Sequence, residues 1–386
     1  MAPEAPLSAR ALGRATLARQ GLLEPIRSSP TDAVEALASL QAQHPEWPPV
    51  ALAARAAHPR TADLAGAMRR REVVRSSLMR ITIHIVTAGD LWPVFAICQP
   101  LRLAQWRLLA KSDPATSRLG RRMTATHAAA VSALSERPRS SVELDRIMSA
   151  ELGEVSVPTP RLAWRHLSAH VPLIHVPHDR EGYGRSLYAV ATDWLGLASV
   201  PEWDLDDARR HVARRYLAAF GPASLDDLAA YVGRGRGGIG PWRLAVESVG
   251  DEVIVVRDEA GRNLFDLANA PRPAADTPAP PRLLARWDSL LLSHASKQRT
   301  RILDDEGRAA VFTKNADVRP SFLVDGMVAG TWDLARGDGA ASIVLHPLRP
   351  LATPVADALV DEADRMLRLI APDASERSTS FAGRRT

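Results

Sequence analysis

Two glutamines lie one residue apart in the segment Leu40-Gln41-Ala42-Gln43-His44-Pro45. A glutamine side chain does not ionise, but its amide has two N–H donors and a carbonyl acceptor. Two such amides close together can hold and orient a water molecule without acting as a general base. We predict that the pair lies at the end of a helix over residues 32–40. Exposed glutamines are also common on helix surfaces, so the pattern alone does not distinguish a site from a solvated surface.

Other chemically active side chains flank this pair or lie in a later segment. His44 and Trp47 follow the glutamines, and Trp47 precedes two prolines, so it either walls a binding pocket or anchors the start of a helix. Arg80, Thr82 and His84 belong to a segment with apolar residues at every second position, which predicts a strand over residues 80–86. His84 would share the polar face of that strand with Thr82, where it either lines a cleft or bonds a backbone carbonyl.

Composition limits the class of protein. The 386 residues are 46% hydrophobic and 24% charged, which is typical of a globular chain with two to four domains. Cys98 is the only cysteine, which excludes a disulfide framework and a cysteine-ligated zinc site. The sequence contains no apolar run of 18 residues and no secretory leader, so we expect a cytoplasmic monomer that spans no membrane. We expect no cofactor and no metal.

Arginine dominates the basic residues and occurs in clusters. Net charge is +5, and only three of the 49 basic residues are lysine. Guanidinium groups suit phosphate and guanine edges, so clustered arginines indicate a polyanion partner such as double-stranded DNA. Codon bias in a GC-rich genome would also enrich arginine. The clusters are residues 69–71 with Arg75 and Arg80, then Arg118, Arg121 and Arg122, then Arg209, Arg210, Arg214 and Arg215.

A pattern of helix, turn, helix and β-hairpin occurs three times. In the second copy, Ser140 and Glu143 form a capping-box signal for a helix that ends at Leu152, and strands are predicted at residues 171–176 and 186–191. The third copy has helices at residues 207–220, 225–232 and 242–248, then strands at 253–257 and 263–267. The first copy, with helices at 9–19, 32–40, 48–56 and 61–71, is less regular. Each copy resembles a winged helix.

The pattern predicts an α+β protein with four consecutive domains. Three winged helices would occupy residues 1–115, 116–200 and 201–269, and a C-terminal domain would occupy 270–386. A proline-rich linker over residues 270–281 would precede short strands that form a small β-barrel or sandwich, and a helix near 355–370 would complete it. We expect the ends, residues 1–6 and 373–386, to be mobile.

The order of several motifs resembles the AlkZ-type DNA glycosylases, a family of winged-helix DNA-binding-domain-containing proteins. The resemblance covers nearly the whole chain. It is carried by Leu40-Gln41-Ala42-Gln43, by Ser77-Leu78-Met79-Arg80-Ile81-Thr82-Ile83-His84, by Tyr216-Leu217-Ala218-Ala219-Phe220-Gly221-Pro222-Ala223-Ser224, and by residues 282–294 and 322–332. The resemblance implies three tandem winged helices and a C-terminal β-barrel in a C shape.

The resemblance also implies an activity. The family uses Gln-x-Gln or Gln-x-Asp as its catalytic motif, and Gln41 and Gln43 match the first form. It implies hydrolysis of the N-glycosidic bond of an N7-alkylated guanine in base excision repair. Some family members act on bulky adducts or crosslinks of genotoxic natural products, where they give self-resistance, and others act on simpler alkylpurines. His44, Trp47, Arg80, Thr82 and His84 would line the active site. Because lysine is scarce, we expect a monofunctional enzyme without a Schiff-base step, with the N-terminal amine as the one formal exception.

Several side chains are expected to contact DNA, and some of them have simpler explanations. The glycine-rich loop at residues 233–238 is either a phosphate contact or a solvated turn. Asp288 and His294 could face DNA, although Asp288 with Ser289 could equally form a turn. A winged-helix protein that binds DNA or regulates transcription without catalysis remains the alternative function. The expected DNA contacts are Arg121, Arg122, Arg185, Arg234, Arg236, Asp288, His294 and Arg299.

Overall fold

The computed structural model describes residues 5–60, 62–111, 120–153, 159–176, 187–233, 238–315, 317–337 and 339–382. The chain divides into two compact units. The first unit comprises Met1–Leu64, Ala213–Tyr231 and Gly237–Thr386, and the second comprises Ala65–Val212 and Val232–Arg236. The division into four consecutive domains stays a prediction. Arg185, Arg234 and Arg236, with the predicted hairpin tip at residues 181–185, lie outside the described residues.

The described elements alternate helices with short strands, and none of the helices is both long and apolar enough to cross a membrane. The helices are α1 (Ala9–Arg19), α2 (Pro30–Ala36), α3 (Pro48–Ala53), α4 (Leu64–Arg69), α5 (Leu91–Lys111), α6 (Gly120–Glu136), α7 (Ser141–Leu152), α8 (Thr159–His170), α9 (Ala191–Leu195), α10 (Leu205–Phe220), α11 (Leu225–Val232), α12 (Gly240–Glu247), α13 (Ser289–Leu292), α14 (Asp305–Val311) and α15 (Thr353–Ile370). The strands are β1 (Leu40–Gln41), β2 (Val73–Ser77), β3 (Ile83–Thr87), β4 (Arg139–Ser140), β5 (Leu173–Val176), β6 (Leu187–Val190), β7 (Val253–Arg257), β8 (Asn263–Leu267), β9 (Arg282–Leu284), β10 (Ser321–Val324), β11 (Met327–Gly337), β12 (Ala340–Pro347) and β13 (Glu376–Phe381).

Local capping explains where several helices begin. The Ser140 hydroxyl accepts a hydrogen bond from the Glu143 N–H, and the Glu143 carboxylate accepts one from the Ser140 N–H, so the predicted capping box of α7 is confirmed. The same reciprocal bonds join Ser29 and Asp32 at the start of α2. Helix α2 nevertheless ends at Ala36, four residues before the predicted end.

The second unit contains the predicted helix, turn, helix and hairpin order of the second copy. Its strands lie in the order β3-β2-β5-β6-β4, and all neighbours are antiparallel. Helices α6, α7 and α8 pack around a core that includes Leu134, Leu144, Met148 and Leu167. Cys98 of α5 is also buried, and burial raises the pKa of its thiol to about 11.

The third copy also shows its predicted elements in order. Strands β7 and β8 form an antiparallel hairpin with Val253 opposite Leu267 and Arg257 opposite Asn263. The Asp258 carboxylate holds the turn, since it accepts hydrogen bonds from the backbone N–H groups of Ala260 and Arg262. Residues 259–262 are exposed. The number of winged helices stays a prediction.

The C-terminal strands form an open sheet in the order β13-β12-β11-β10-β9. Only β12 and β13 run parallel. Strands β13 and β9 are its two edges in the described part of the chain, so the predicted β-barrel is wrong. Helix α15 contributes Leu359, Ala363, Met366 and Leu367 to the core.

The predicted mobile C-terminal end and the predicted proline-rich linker both make regular contacts. Residues 376–381 form the edge strand β13, contrary to the expectation of a mobile end. The proline-rich segment is fixed by α1, because Arg10 donates to the Ala275 carbonyl and Arg14 to the Thr277 carbonyl, each at 2.6 Å. Prolines lack an N–H, so the segment pairs through its carbonyls, and arginine supplies the donors.

Candidate active site

The glutamine pair follows α2 in the first unit, with Gln41 at the end of β1 and Gln43 in the bend after it. Ala38 has a φ of 59°, which turns the chain out of the helix before β1 begins. The Ser39 hydroxyl lies 2.8 Å from the Tyr231 hydroxyl, and the Ser39 carbonyl accepts a hydrogen bond from Ser289 at 3.1 Å. The prediction that the pair lies at a helix end is therefore wrong, but the backbone before Gln41 is fixed by two other elements.

The two amides differ in their access to solvent. Gln41 is 7% exposed and its neighbour Ala42 is fully buried. Gln43 is exposed. A bound molecule can reach Gln43 without rearrangement, whereas Gln41 is enclosed by protein and its position is set by the fold.

The residues after the pair form a half-exposed turn. His44 Nδ1 lies 3.9 Å from Glu46 Oε1, and these side chains are 44% and 56% exposed. Trp47 packs edge-on against the buried Trp332 ring with a centroid distance of 5.8 Å. Trp47 also directly precedes α3, so its geometry fits the interpretation as a helix anchor. A role for His44 and Trp47 in lining the active site stays a prediction.

A buried ion pair lies within the same unit at the end of α3. Arg55 donates two hydrogen bonds to the Asp288 carboxylate, at 2.7 and 2.9 Å, and both side chains are almost fully buried. Asp288 also accepts from the Leu290 N–H and so begins α13. The expectation that Asp288 contacts DNA is wrong for this fold, because its carboxylate is enclosed and neutralised by Arg55.

His294 is a second correction. It is 1% exposed, its Nε2 donates to the Phe220 carbonyl at 3.1 Å, and its Nδ1 accepts from the Ser293 hydroxyl at 3.0 Å. Burial, with a smaller effect of Arg301, lowers the pKa of His294 to about 3. A neutral histidine with both nitrogens bonded inside the protein cannot contact DNA, so this expectation is also wrong.

In the second unit, Arg80 and Ile81 adopt left-handed backbone conformations, with φ of 52° and 57°. Residues 79–81 form a short 3-10 turn and β3 begins only at Ile83, so the predicted strand over residues 80–86 is wrong at its start. Gly233 lies against this turn, since a Cβ added to it would be 3.3 Å from the Arg80 backbone. Two consecutive non-glycine residues in this region store strain, which proteins retain mainly at functional positions.

His84 is buried beside this turn. Its Nδ1 donates to the Thr82 carbonyl at 3.0 Å, and its Nε2 accepts from Arg80 Nη2 at 3.1 Å. Burial is the main cause that lowers the pKa of His84 well below its ordinary value, and Arg80 and then Arg102 lower it further. His84 is therefore a neutral residue that positions the Arg80 guanidinium, and it cannot supply a proton near neutral pH.

Arg102 was not identified from the sequence. It is 6% exposed within α5 and donates to the Ser168 carbonyl at 2.7 Å. As one arginine within a largely apolar helix, Arg102 gives no sequence signal that it is buried and lowers the pKa of His84. A role for Arg80, Thr82 and His84 in an active site stays a prediction.

The remaining arginines expected to contact DNA have mixed environments. Arg122 is exposed and donates to the Leu152 carbonyl at the end of α7. The backbone of Arg121 lies in α6, but its side chain is outside the described structure. Arg299 is half-buried and stacks on the Phe312 ring with its guanidinium 5.0 Å from the ring centre.

Each arginine of the third cluster forms an ion pair with an acidic residue. Arg209 bonds Asp206, Arg210 bonds Asp207, Arg214 bonds Glu252 and Arg215 bonds Glu35. Exposed ion pairs of this kind stabilise a fold only weakly, but they reduce the positive charge that a polyanion would meet. In the first cluster, Arg75 is buried, whereas residues 69–71 are exposed.

Comparison with known proteins identifies the family. The profile described as DNA glycosylase AlkZ-like matches residues 34–369, which is most of the chain. The chain belongs to the AlkZ-like family. The matched residues include both glutamines, the turn at residues 79–81 and the C-terminal sheet as far as β12.

A curated relative of this AlkZ-like chain is the interstrand DNA cross-link repair glycosylase of Streptomyces sahachiroi, which is 28% identical over 201 residues. This match covers 50% of the chain and 49% of the relative, so the chain spans about half the length of that protein. The solved structure of Streptomyces sahachiroi DNA glycosylase AlkZ has a TM-score of 0.78 at 21% identity and covers 98% of this chain and 100% of its own. At 21% sequence identity, this structural similarity establishes the fold alone.

Proposed function

We propose that this AlkZ-like protein is a monofunctional DNA glycosylase that hydrolyses the N-glycosidic bond of N7-alkylated guanine. The observation that carries the proposal is the family match over residues 34–369, which contains the Gln41 and Gln43 motif. The exposure of Gln43 beside a buried Gln41 supports it, because one amide can meet the substrate while the other is fixed by the fold.

The chemistry needs little acid or base. Guanine alkylated at N7 is already cationic and leaves readily, so the enzyme's task is to place a water beneath C1′ of an oxocarbenium-like sugar. The amide oxygen of Gln43 would accept a hydrogen bond from that water, and Gln41 would fix its direction. The two carbonyl dipoles would also stabilise positive charge that develops on the sugar.

The scarcity of lysine supports the absence of a lyase step. A Schiff base requires an amine, and the described lysines, Lys111, Lys297 and Lys314, are all exposed. The product would be an abasic site that breaks only after treatment with alkali. We further propose that the substrates are bulky adducts or crosslinks, because the curated relative from Streptomyces sahachiroi is named an interstrand DNA cross-link repair glycosylase.

The first test removes each amide from the full-length protein. We expect Gln41→Ala and Gln43→Ala to bind duplex DNA containing N7-alkylguanine as the parent does, but to release the base about 10² to 10³ times more slowly. Gln105→Ala is the matched control, since Gln105 is an exposed glutamine of α5. Single-turnover release of base, read as alkali-labile breaks, measures the rate.

Gln43→Asp adds a distinguishing measurement. The carboxylate preserves an oxygen acceptor, so we expect substantial activity to remain. Because an amide does not titrate and a carboxyl group does, the variant's rate should fall in acid while the parent's rate stays level over the same range. If both alanine variants release base at the parent's rate, the glutamines are not catalytic. If the parent itself binds DNA but forms no abasic sites, the protein is a non-catalytic DNA-binding protein.

A further inference from the structure

Three histidines meet on the surface of the helical layer in the second unit. His127 lies on α6, and His166 and His170 lie one turn apart on α8. One possible ligand nitrogen from each ring lies within 4.8 Å of the other two. We propose that this group, called the histidine triad, binds a divalent transition-metal ion of the zinc type and thereby ties α6 to α8.

The distances are close to those a metal requires. His166 Nδ1 and His127 Nε2 face each other at 3.0 Å. Ligand nitrogens about 2.0–2.1 Å from a tetrahedral zinc ion lie roughly 3.3 Å apart. The His170 nitrogen lies within 4.8 Å of the other two, so it must approach them to complete the set, and its ring is exposed to solvent.

The hydrogen bonding of His170 also suits a ligand role. His170 Nδ1 lies 2.9 Å from the His166 carbonyl and donates to it. This bond leaves Nε2 as the ligand atom, which is the arrangement found in metal-ligating histidines whose other nitrogen is fixed by a carbonyl. His166 and His170 are four residues apart, so they share one face of α8.

The surroundings give an ion access and hold the rings. His127 and His166 are half-buried, and His170 is exposed, so the triad opens to solvent on one side. The Trp106 ring packs on His166 with a centroid distance of 4.3 Å, which limits that ring's rotation. Neutral imidazole binds zinc, copper and nickel well, and three protein ligands leave a fourth position for water.

Metal binding to the untagged, chelator-treated full-length protein tests the proposal. We expect one equivalent of Zn²⁺ to bind at saturation, one equivalent of Co²⁺ to give the visible spectrum of a tetrahedral nitrogen site, and Zn²⁺ to raise the Tm by a few degrees. His170→Gln should weaken Zn²⁺ affinity on the order of a hundredfold and abolish the Tm shift.

The control and a second variant keep the result interpretable. His58→Gln removes an exposed histidine of the first unit, so it should leave the affinity and the Tm shift unchanged. His127→Gln should reproduce the loss seen with His170→Gln from the opposite helix. Absence of saturable binding at one equivalent, or equal affinity in the parent and both triad variants, would overturn the proposal.

Discussion

Two buried arginine–aspartate pairs join residues that are far apart in the chain. Arg19 bonds the Asp266 carboxylate at 2.6 and 2.9 Å, and Arg55 bonds Asp288 in the same way. All four side chains are buried within the first unit. A buried charge is tolerated only when its partner and further hydrogen bonds compensate for the lost water, so each residue depends on the other.

We predict that Asp288→Asn will lower the free energy of unfolding by about 3–5 kcal/mol, because Arg55 is then a buried charge without its counterion. Asparagine keeps the size of the side chain and an oxygen that can accept from the Leu290 N–H. Urea denaturation measures the change. Glu252→Gln, which breaks the exposed pair with Arg214, should cost less than about 1 kcal/mol. Equal effects of the two substitutions would contradict this explanation.

These pairs also show why the burial and partners of single residues are harder to predict from sequence than helices and strands are. Asp288 and His294 are expected to face DNA because their segment, residues 282–294, resembles a family motif of the C-terminal domain. Their partners, Arg55 and the Phe220 carbonyl, are distant in sequence, and no local pattern identifies them. The glutamine motif is visible in the sequence because its two members lie one residue apart and match a family pattern, although the opposite exposure of the two amides is not predicted.

Among the elements, strand β11 contains two glycines in contrasting surroundings. A Cβ added at Gly330 would lie 2.5 Å from the His346 carbonyl oxygen and closer still to the Phe322 ring. Both neighbours are fixed within the sheet, since Phe322 is fully buried and His346 lies in β12. A Cβ at Gly337 would meet nothing within 4 Å.

We therefore predict that Gly330→Ala will lower the free energy of unfolding by about 1–3 kcal/mol or more, because the sheet must shift to admit the methyl group. Gly337→Ala on the same strand should change it by less than about 0.5 kcal/mol. Parallel urea titrations of the two variants test this comparison. A Gly330→Ala protein as stable as the Gly337→Ala protein would show that the sheet relaxes without cost.

The sequence predicted most helices well because their start and stop signals are local. The Ser140 and Glu143 capping box and the Gly153 stop define α7 within a few residues. Strand pairing is non-local, so the sequence could not show that the C-terminal sheet stays open. Residues 376–381 are expected to be mobile because they lie at a chain end, but β12 supplies a parallel partner for their backbone groups.

For the molecule as a whole, buried neutral histidines link stability to pH. Burial lowers the pKa of His175 and of His294 to about 3, and that of His84 well below the ordinary value. In the unfolded chain, each would have a pKa of about 6.5. Between these values the unfolded chain binds protons that the folded protein does not, so stability falls as the pH falls from about 6.5 towards 3.

We predict that the free energy of unfolding will drop by up to about 1.4 kcal/mol per pH unit for each such histidine as the pH is lowered from 6.5. His294→Gln should reduce this slope, whatever its stability at pH 7, because one proton-binding group is removed from the unfolded chain. His58→Gln, at an exposed position, should retain the parent's slope. Urea midpoints measured from pH 7.5 to pH 5 provide the comparison, and equal slopes in all three proteins would contradict it.

The enclosed thiol of Cys98 has a practical consequence for single-molecule work. Maleimide reagents attack the thiolate, and a thiol that is 1% exposed with a pKa raised to about 11 presents almost none near neutral pH. We therefore expect the folded protein not to react with thiol-directed dyes. A cysteine introduced at Ala260, on the exposed β7–β8 turn, would be the sole reactive thiol, so a single fluorophore could be attached there without first replacing Cys98.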